Sequence, residues 1–382
     1  MREVKEDMAG DGQLELWPRT EDGPAGPDRP LQIQNRKYLG SKNRLFPFLQ
    51  RVILAQAGPI GLFVDGFSGT GVVAYRFRPH ARRIVANDLL YSNYVMGRAY
   101  LGPAVDTDRI HAWVVHLNSL PPVHGYAYRG YGGTYFSLEN AGRIDAIREE
   151  IEALRESGEC SEQERFVLLA SLLCAVDKVG NTVGQYDAYL KHLGKTPYDS
   201  GGRHRVDSNV YKPLRLRVPA VGPHPESAGR ASRCEVHNED VNRLIERIEG
   251  DVLYLDPPYN TRQYCDLYHV LENIAVWAKP VLTGKTSKFD RTHLKSRYSS
   301  RRAAADALSR LAARARFRHI FLSYNSEGII PPDAIRCILE ARGPTRLYET
   351  DYPVFGNGAG RAFRRTVTER LYHCRVATQA GG

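Results

Sequence analysis

The tetrapeptide Asp256-Pro257-Pro258-Tyr259 follows directly on the apolar run Val252-Leu253-Tyr254-Leu255. In an open sheet, a segment so placed lies at the carboxyl edge of a strand, where such sheets bind their ligands. Two prolines fix the backbone and remove two N–H donors, so the turn is stiff and its carbonyls are left to accept. Together with the Asp256 carboxylate and the Tyr259 ring they make an acceptor-rich ledge beside an aromatic face. Such a ledge suits chemistry on an exocyclic amine. The amine's lone pair is delocalised into its ring, so a catalyst must hold the hydrogens with acceptors and let the nitrogen pyramidalise. Asp256 and the Pro257 carbonyl can hold them, and Tyr259 can stack on a base drawn out of a duplex. Stacking contributes roughly 1 to 3 kcal/mol against an extrusion cost of a few kcal/mol, so the ring can keep the base in place. The plainer alternative is a rigid turn and nothing more.

A second candidate is Asp65-Gly66-Phe67-Ser68-Gly69-Thr70-Gly71, which follows the apolar run Leu62-Phe63-Val64. Glycines after a strand let the backbone approach a ligand closely. Asp88, about twenty residues on at the end of the next strand-like run, is placed to accept from ribose hydroxyls. That spacing fits a nucleoside cofactor. No Gly-Lys-Ser/Thr follows, so the loop does not read as a P-loop.

The elements that must position these residues can be read from periodicity. Residues 62–65, 82–88, 234–240, 251–256 and 318–325 predict strands, and 345–351 with 365–374 predict a hairpin closed by the link Gly356 to Phe363. Leu45, Phe48, Leu49, Val52 and Ile53 are spaced for a helix, and 139–156 and 161–178 are helical in pattern. Strand, Gly turn, helix, strand opens a doubly wound α/β sheet of Rossmann-like type. Its alternation breaks between Tyr91 and about Arg233, which marks a large, mostly helical insertion. The expected division is a flexible tail at 1–33, a main domain at 34–94 and 233–378, and an inserted region at 95–232.

Composition narrows the partners. Lys and Arg outnumber Asp and Glu by 53 to 43, for a net charge of +10 and a pI near 9.3, which suits a polyanion. No apolar run reaches membrane-spanning length and no secretory pattern opens the chain, so a soluble, cytoplasmic protein is expected. The six cysteines are far apart, with no C-x-x-C pair. They read as reduced, mostly buried thiols, and no metal site is expected.

Taken together the motifs resemble a known family. Asp65-x-Phe67-x-Gly69-x-Gly71 resembles the cofactor motif of amino-methyltransferases, and Asp256-Pro257-Pro258-Tyr259 resembles the catalytic motif of their adenine-N6 branch. Lys37-Tyr38-Leu39-Gly40-Ser41-Lys42 is similar to the motif preceding the first strand in the alpha group of DNA adenine methyltransferases, the Dam-like, restriction–modification type. The order of motifs agrees, and AVDKVGNTVGQYDAYLK, NTRQYCDLYHVLENIA and FLSYNSEG are similar to segments of restriction-system modification enzymes.

The resemblance implies a Rossmann-like methyltransferase sheet and transfer of a methyl group from S-adenosylmethionine to N6 of a flipped adenine in double-stranded DNA. It further implies a modification enzyme of a restriction system, or an orphan relative of one, with a cognate endonuclease as a partner. Tyr38, Lys42, Asp65, Phe67, Gly69 and Gly71 would contact the methyl donor, Asp88 its ribose and Asp240 its adenine. For Asp240 the alternative is a helix N-cap.

DNA contact is expected from two places. Asn260, Arg262, Gln263 and Tyr264 follow the catalytic turn, either to meet the target strand or to cap the next helix, and Asn325 ends a strand on the same sheet edge. Residues 178–217 interleave Lys191, Lys195, Arg203, Arg205 and Lys212 with tyrosines, a pattern suited to phosphates. A second basic stretch, Lys288 to Arg318, reads as a solvated face. Competing readings are an RNA adenine-N6 methyltransferase, a cytosine-N4 enzyme and a non-catalytic DNA-binding module. Asp rather than Ser at position 256 argues for adenine, and the intact loops argue against the module.

Overall fold

The computed structural model describes residues 30–36, 40–191, 193, 208–221, 233–355 and 364–377. Seven strands form one sheet: β1 Ile60–Asp65, β2 Ala81–Asn87, β3 Arg233–His237, β4 Glu249–Leu255, β5 Arg316–Asn325, β6 Thr345–Phe355 and β7 Arg364–Arg375. Their order is β3-β2-β1-β4-β5-β7-β6. The first five run parallel, and β7 is antiparallel to both β5 and β6. This is the expected α/β sheet with its C-terminal antiparallel hairpin; the link at 356–363 lies outside the described residues.

Period-two alternation sorts the strand side chains onto two covered faces. Leu62, Val64, Leu253, Leu255, Ile320, Leu322 and Tyr372 pack with the helices Ala304–Arg314 and Pro332–Glu340. Phe63, Val252, Tyr254, Phe321 and Leu371 face the other way, onto the helices Phe46–Ala57 and Val72–Phe77. The chain builds β1, β2 and β3 outward on one side and then returns to place β4 on the other side of β1. The order therefore reverses between β1 and β4, and sheets of this kind bind ligands at that reversal, beyond the carboxyl ends of the strands.

The insertion enters after the helix Tyr91–Leu101, which straddles the boundary expected at 94/95 and packs on the helix Glu162–Val179. Glu162–Val179 opens with a Ser161/Glu164 capping box and is buried along most of its length, which is why its sequence reads as apolar nearly all round. Leu138–Glu156 matches the predicted helix within one residue, whereas Thr107–Ser119 and Tyr126–Tyr131 have no counterpart in that reading.

Gly and Tyr in the segment 125–136 belong to the core. Asp145 accepts from the Ala127 and Tyr128 amides at 2.7 Å each, starting the short helix, and Tyr131 and Tyr135 are fully buried. The buried Arg148 donates to the carbonyls of Ile274 and Ala275 at 2.8 and 3.0 Å. It thereby satisfies the end of the helix His269–Val276 that follows the Asp-Pro-Pro-Tyr turn, a favourable place for a cation.

Of the expected tail, residues 30–33 are held in place. Leu31 donates to Val218 O at 2.9 Å and accepts from Ala220 N at 2.7 Å, and Leu31 and Ile33 are buried in the core of the insertion. Residues 1–29 lie outside the described residues. Cys160, Cys174, Cys265 and Cys374 are buried free thiols, Cys234 is half-buried and Cys337 is exposed. No helix among the described residues is long and apolar enough to cross a membrane.

Candidate active site

β1 and β4 are hydrogen-bonded neighbours with Asp65 opposite Tyr254, so the glycine loop and the Asp-Pro-Pro-Tyr turn leave the sheet side by side. The Gly66 N–H donates to Tyr254 O at 3.0 Å and joins the two exits. A cleft opens there, lined by both segments and by Lys42, Asp88, Asp240, Tyr264 and the stretch 294–298.

Asp65 is 1% exposed. Its Oδ2 accepts from Ala74 N at 3.2 Å, while Oδ1 is buried with no hydrogen-bond partner. Burial, and then the charge of Asp256, push its carboxyl well above the usual range. The Ala74 and Phe67 amides both pull the other way, so Asp65 braces the glycine loop from within. Gly71 has φ +87°, a conformation that side chains resist, and a Cβ on Gly66 would crowd Leu255 and Val241 at 3.0 Å each. Asp88 is half-buried. One carboxylate oxygen takes the Gly69 N–H at 2.9 Å, and the other takes Leu90 N at 2.9 Å and Asn93 Nδ2 at 3.0 Å. It fixes the loop as well as facing the cleft.

On the other side of the cleft, Lys42 Nζ lies 3.0 Å from Asp256 Oδ1, with the two side chains 4% and 17% exposed. Burial pushes the Asp256 carboxyl up to about 6 against the downward pull of Lys42. Burial would lower the Lys42 ammonium, but Asp256 and Glu369 outweigh it and hold it charged above its usual range. Tyr259 is half-buried, and its carbonyl accepts from Ile329 N at 2.9 Å. Lys42, assigned to the methyl donor by resemblance, thus sits in the cleft with its charge on the Asp256 carboxylate.

The remaining expected residues divide. Asp240 is an N-cap: its Oδ1 accepts from Asn242 N at 2.8 Å, and it also borders the cleft. Phe67 meets Tyr298 edge-on at 4.8 Å. Tyr264 lines the cleft, whereas Arg262 reaches sideways to Asp187 at 2.7 Å in an exposed pair. Gln263 pins the adjoining segment, donating to Ser296 O at 3.0 Å and accepting from Ser296 N at 2.8 Å. Asn325 ends β5 on the expected edge, but its Oδ1 takes Glu327 N at 2.8 Å and closes a turn. Lys191 is exposed, and Lys212 donates to Asn209 Oδ1 at 2.8 Å. Tyr38, Lys195, Arg203 and Arg205 lie outside the described residues.

Sequence reading passed over Asn87 and Tyr298. Asn87, 1% exposed, donates to the carbonyls of Gly66 and Glu239 at 3.2 and 3.1 Å. Its one signal is a polar residue at a strand end beside the chosen acid. Tyr298 is buried behind Phe67 within a basic stretch that shows no periodicity.

An open sheet of this order, with a glycine loop and an Asp-Pro-Pro-Tyr turn flanking the strand reversal, is the architecture of a Rossmann-like methyltransferase. The chain matches the D12 class N6 adenine-specific DNA methyltransferase family over residues 38–200 and 226–338, and it belongs to that family. The type II methyltransferase M.NlaIII of Neisseria lactamica is 35% identical over 345 residues, covering 88% of this chain and 95% of the relative. M.FokI of Planomicrobium okeanokoites is 33% identical over 338 residues, covering 83% and 49%. M.CviAII of Paramecium bursaria Chlorella virus 1 is 29% identical over 327 residues, covering 83% and 92%. The chain thus spans nearly all of two of these relatives and about half of M.FokI.

The family implies a methyl donor of the S-adenosylmethionine type, and the residues present fit one. The close-approach glycines and the Asp88 carboxylate bordering the cleft are groups such a molecule needs. No group of three or more potential metal ligands occurs among the described residues.

Proposed function

We propose that this adenine-N6 DNA methyltransferase is the modification enzyme of a restriction system or an orphan relative of one, acting in the cytoplasm on a specific site in duplex DNA. The names of its relatives support that setting. The observation that carries the chemistry is the shared cleft: the glycine loop and the Asp256 ledge face one another across adjacent strands.

Asp65 and the glycine loop hold the donor, Asp88 its ribose, and Asp240 with Phe67 its adenine. The donor supplies a methyl carbon made electrophilic by its sulfonium. Tyr259 stacks on the flipped adenine, while Asp256 and the Pro257 carbonyl accept the two N6 hydrogens and leave the nitrogen lone pair free to attack. Once methylated, the nitrogen would be acidic, so its proton could be lost without a strong base. A carboxylate near pKa 6 suffices to take it. The inserted region, with Arg262 and the basic residues of 178–217, supplies DNA contacts.

Asp256→Ala removes the acceptor. Methyl transfer from tritiated donor to duplex DNA is expected to fall by at least about 10²- to 10³-fold, the usual cost of one transition-state hydrogen-bonding group, with donor binding retained. Equal activity in the variant refutes the assignment. Preference for structured RNA over duplex DNA in the same assay refutes the substrate.

A further inference from the structure

The basic stretch Lys288 to Arg318 reads in sequence as one solvated face; with Lys285 just before it, the structure splits it in two. In its second half each arginine meets an acid. Arg310 pairs with Asp306 at 2.9 Å, Arg314 with Glu246, Arg316 with Glu249 at 3.6 Å and Arg318 with Asp251 at 3.1 Å. Arg316 and Arg318 begin β5, at the opposite edge of the sheet from Asp256. Their charge is neutralised and remote from the cleft.

The first half is mixed: Arg291 pairs with Asp266 and Arg297 with Asp306 at 3.2 Å, and its other cations are unmatched. Lys285, Lys295, Arg301 and Arg302 are exposed and Lys288 is half-exposed, and none has an acidic partner within 4 Å among the described residues. Residues 294–298 form a wall of the cleft itself. Gln263 fastens Ser296 to the segment that follows the catalytic turn, and Ser299 Oγ donates to Arg262 O at 3.2 Å. Before that wall, Lys285 and Lys288 lie on a small turn closed by paired Thr283 and Lys288 backbone bonds of 2.7 and 2.9 Å. The turn is anchored to the insertion through Tyr135 OH on Thr286 O at 3.2 Å and Ser287 Oγ on Gly130 O at 2.7 Å. Beyond the wall, Arg301 and Arg302 precede the helix Ala304–Arg314.

We infer that the segment 285–302 is a phosphate-binding rim for the duplex that carries the target adenine, with Lys285 and Lys288 on one flank of the cleft wall and Arg301 and Arg302 on the other. This rests on the reading of the chain as a duplex-DNA methyltransferase. Unpaired cations on a fixed backbone lose little on meeting phosphate, whereas the arginines already matched to carboxylates would have to surrender a partner. Contacts to the backbone position the duplex and carry no sequence information, so the rim sets register over the cleft while bases are read elsewhere.

The test is fluorescence anisotropy on a short labelled duplex of arbitrary sequence, comparing wild type with K285A/K288A/R301A/R302A and with R314A/R316A across about 50 to 200 mM salt. Each phosphate contact contributes about 0.9 to the slope of log affinity against log salt. The quadruple variant is expected to lose up to about 3.6 of that slope and more than tenfold in affinity at low salt, with the R314A/R316A control unchanged. An unchanged slope in the quadruple variant, or an equal loss in the control, overturns the rim. If wild type methylates duplex DNA while the quadruple variant keeps its slope, the rim alone fails. If wild type neither binds nor methylates duplex DNA, the functional reading fails with it. Melting curves check that the variant folds, and K285A/K288A and R301A/R302A, each expected to lose about half the slope change, carry the test if it does not.

Discussion

Lys42 and Asp256, joined at 3.0 Å, tie the loop before the first strand to the catalytic turn after the fourth. At an effective dielectric of about 20 their attraction is of order 5 kcal/mol, comparable to the several kcal/mol that each charge loses on leaving water. The pair therefore adds little net stability. Its consequence is that a carboxylate which burial alone would carry higher is held to about 6, and so is largely ionised at neutral pH, ready to accept the amine hydrogens.

Lys42→Met should expose this dependence. With the cation gone, the burial that raises Asp256 acts unopposed, so its pKa rises above about 6. Wild-type single-turnover rates are expected to fall as pH drops through about 6, and the variant's fall is expected to begin at higher pH, with at least about a tenfold loss near pH 6.5. An acid limb that stays in place means that Lys42 does not govern Asp256.

Asp65→Asn separates the two oxygens of that side chain. An amide can still accept from Ala74 N, but its NH₂ replaces the acceptor at Oδ1. Loss of a hydrogen bond to a charged group costs about 1.5 to 3 kcal/mol, so donor affinity by calorimetry should weaken roughly 10- to 150-fold. The unliganded protein should melt no lower than wild type, since a carboxylate that burial disfavours has been removed. Undiminished affinity would take Asp65 out of the donor site.

The placement of the glycine loop and the Asp-Pro-Pro-Tyr turn at one sheet edge was legible because each is a short run directly after an apolar strand. Strand existence was equally legible: 62–65, 82–88 and 251–256 each fall within one or two residues of the observed strands, because fully buried parallel strands are written as apolar runs. What could not be read was whatever depends on distant pairing. Nothing near Lys42 announces Asp256, and nothing near Arg314 announces Glu246. The insertion shows the same thing: nothing near Tyr131 and Tyr135 announces Asp145, which takes the Ala127 and Tyr128 amides of the segment that buries both rings.

His319 and His373 make stability depend on acid. They are stacked on adjacent strands, with His319 Nδ1 3.0 Å from His373 Nε2, and they are 5% and 4% exposed. Burial, and then its histidine neighbour, hold His373 down to about 4, and burial also lowers His319. A base with a depressed folded pKa binds its proton better when unfolded, so stability is full above about 6.5 and lost as pH falls from there toward about 4. For His373 alone that loss is at most about 3 kcal/mol. His373→Phe should flatten this part of the urea-unfolding profile between pH 7 and 4.5 relative to wild type, since a second ring can stack on Phe321, which lies 4.5 Å away at 12°. A parallel pair of profiles would clear His373 of any part in acid sensitivity.

Asn87 offers the sharpest test of how the donor side is held. Its amide donates to Gly66 O and Glu239 O, its Oδ1 accepts from Glu239 N at 3.3 Å, and its own carbonyl accepts from Ser68 N at 2.8 Å. One side chain thus joins the glycine loop to the turn that presents Asp240. Asn87→Ala leaves two carbonyls and an amide without that partner, costing about 1 to 3 kcal/mol, and donor affinity should fall about tenfold or more. Asn87→Asp should be worse than alanine despite its closer shape, because a carboxylate can accept from Glu239 N but sets negative oxygen against both carbonyls. Duplex binding, made elsewhere on the surface, should change little in either variant. If aspartate instead retains donor affinity better than alanine, the side chain serves there by filling space and the proposed bracing of the two loops is wrong.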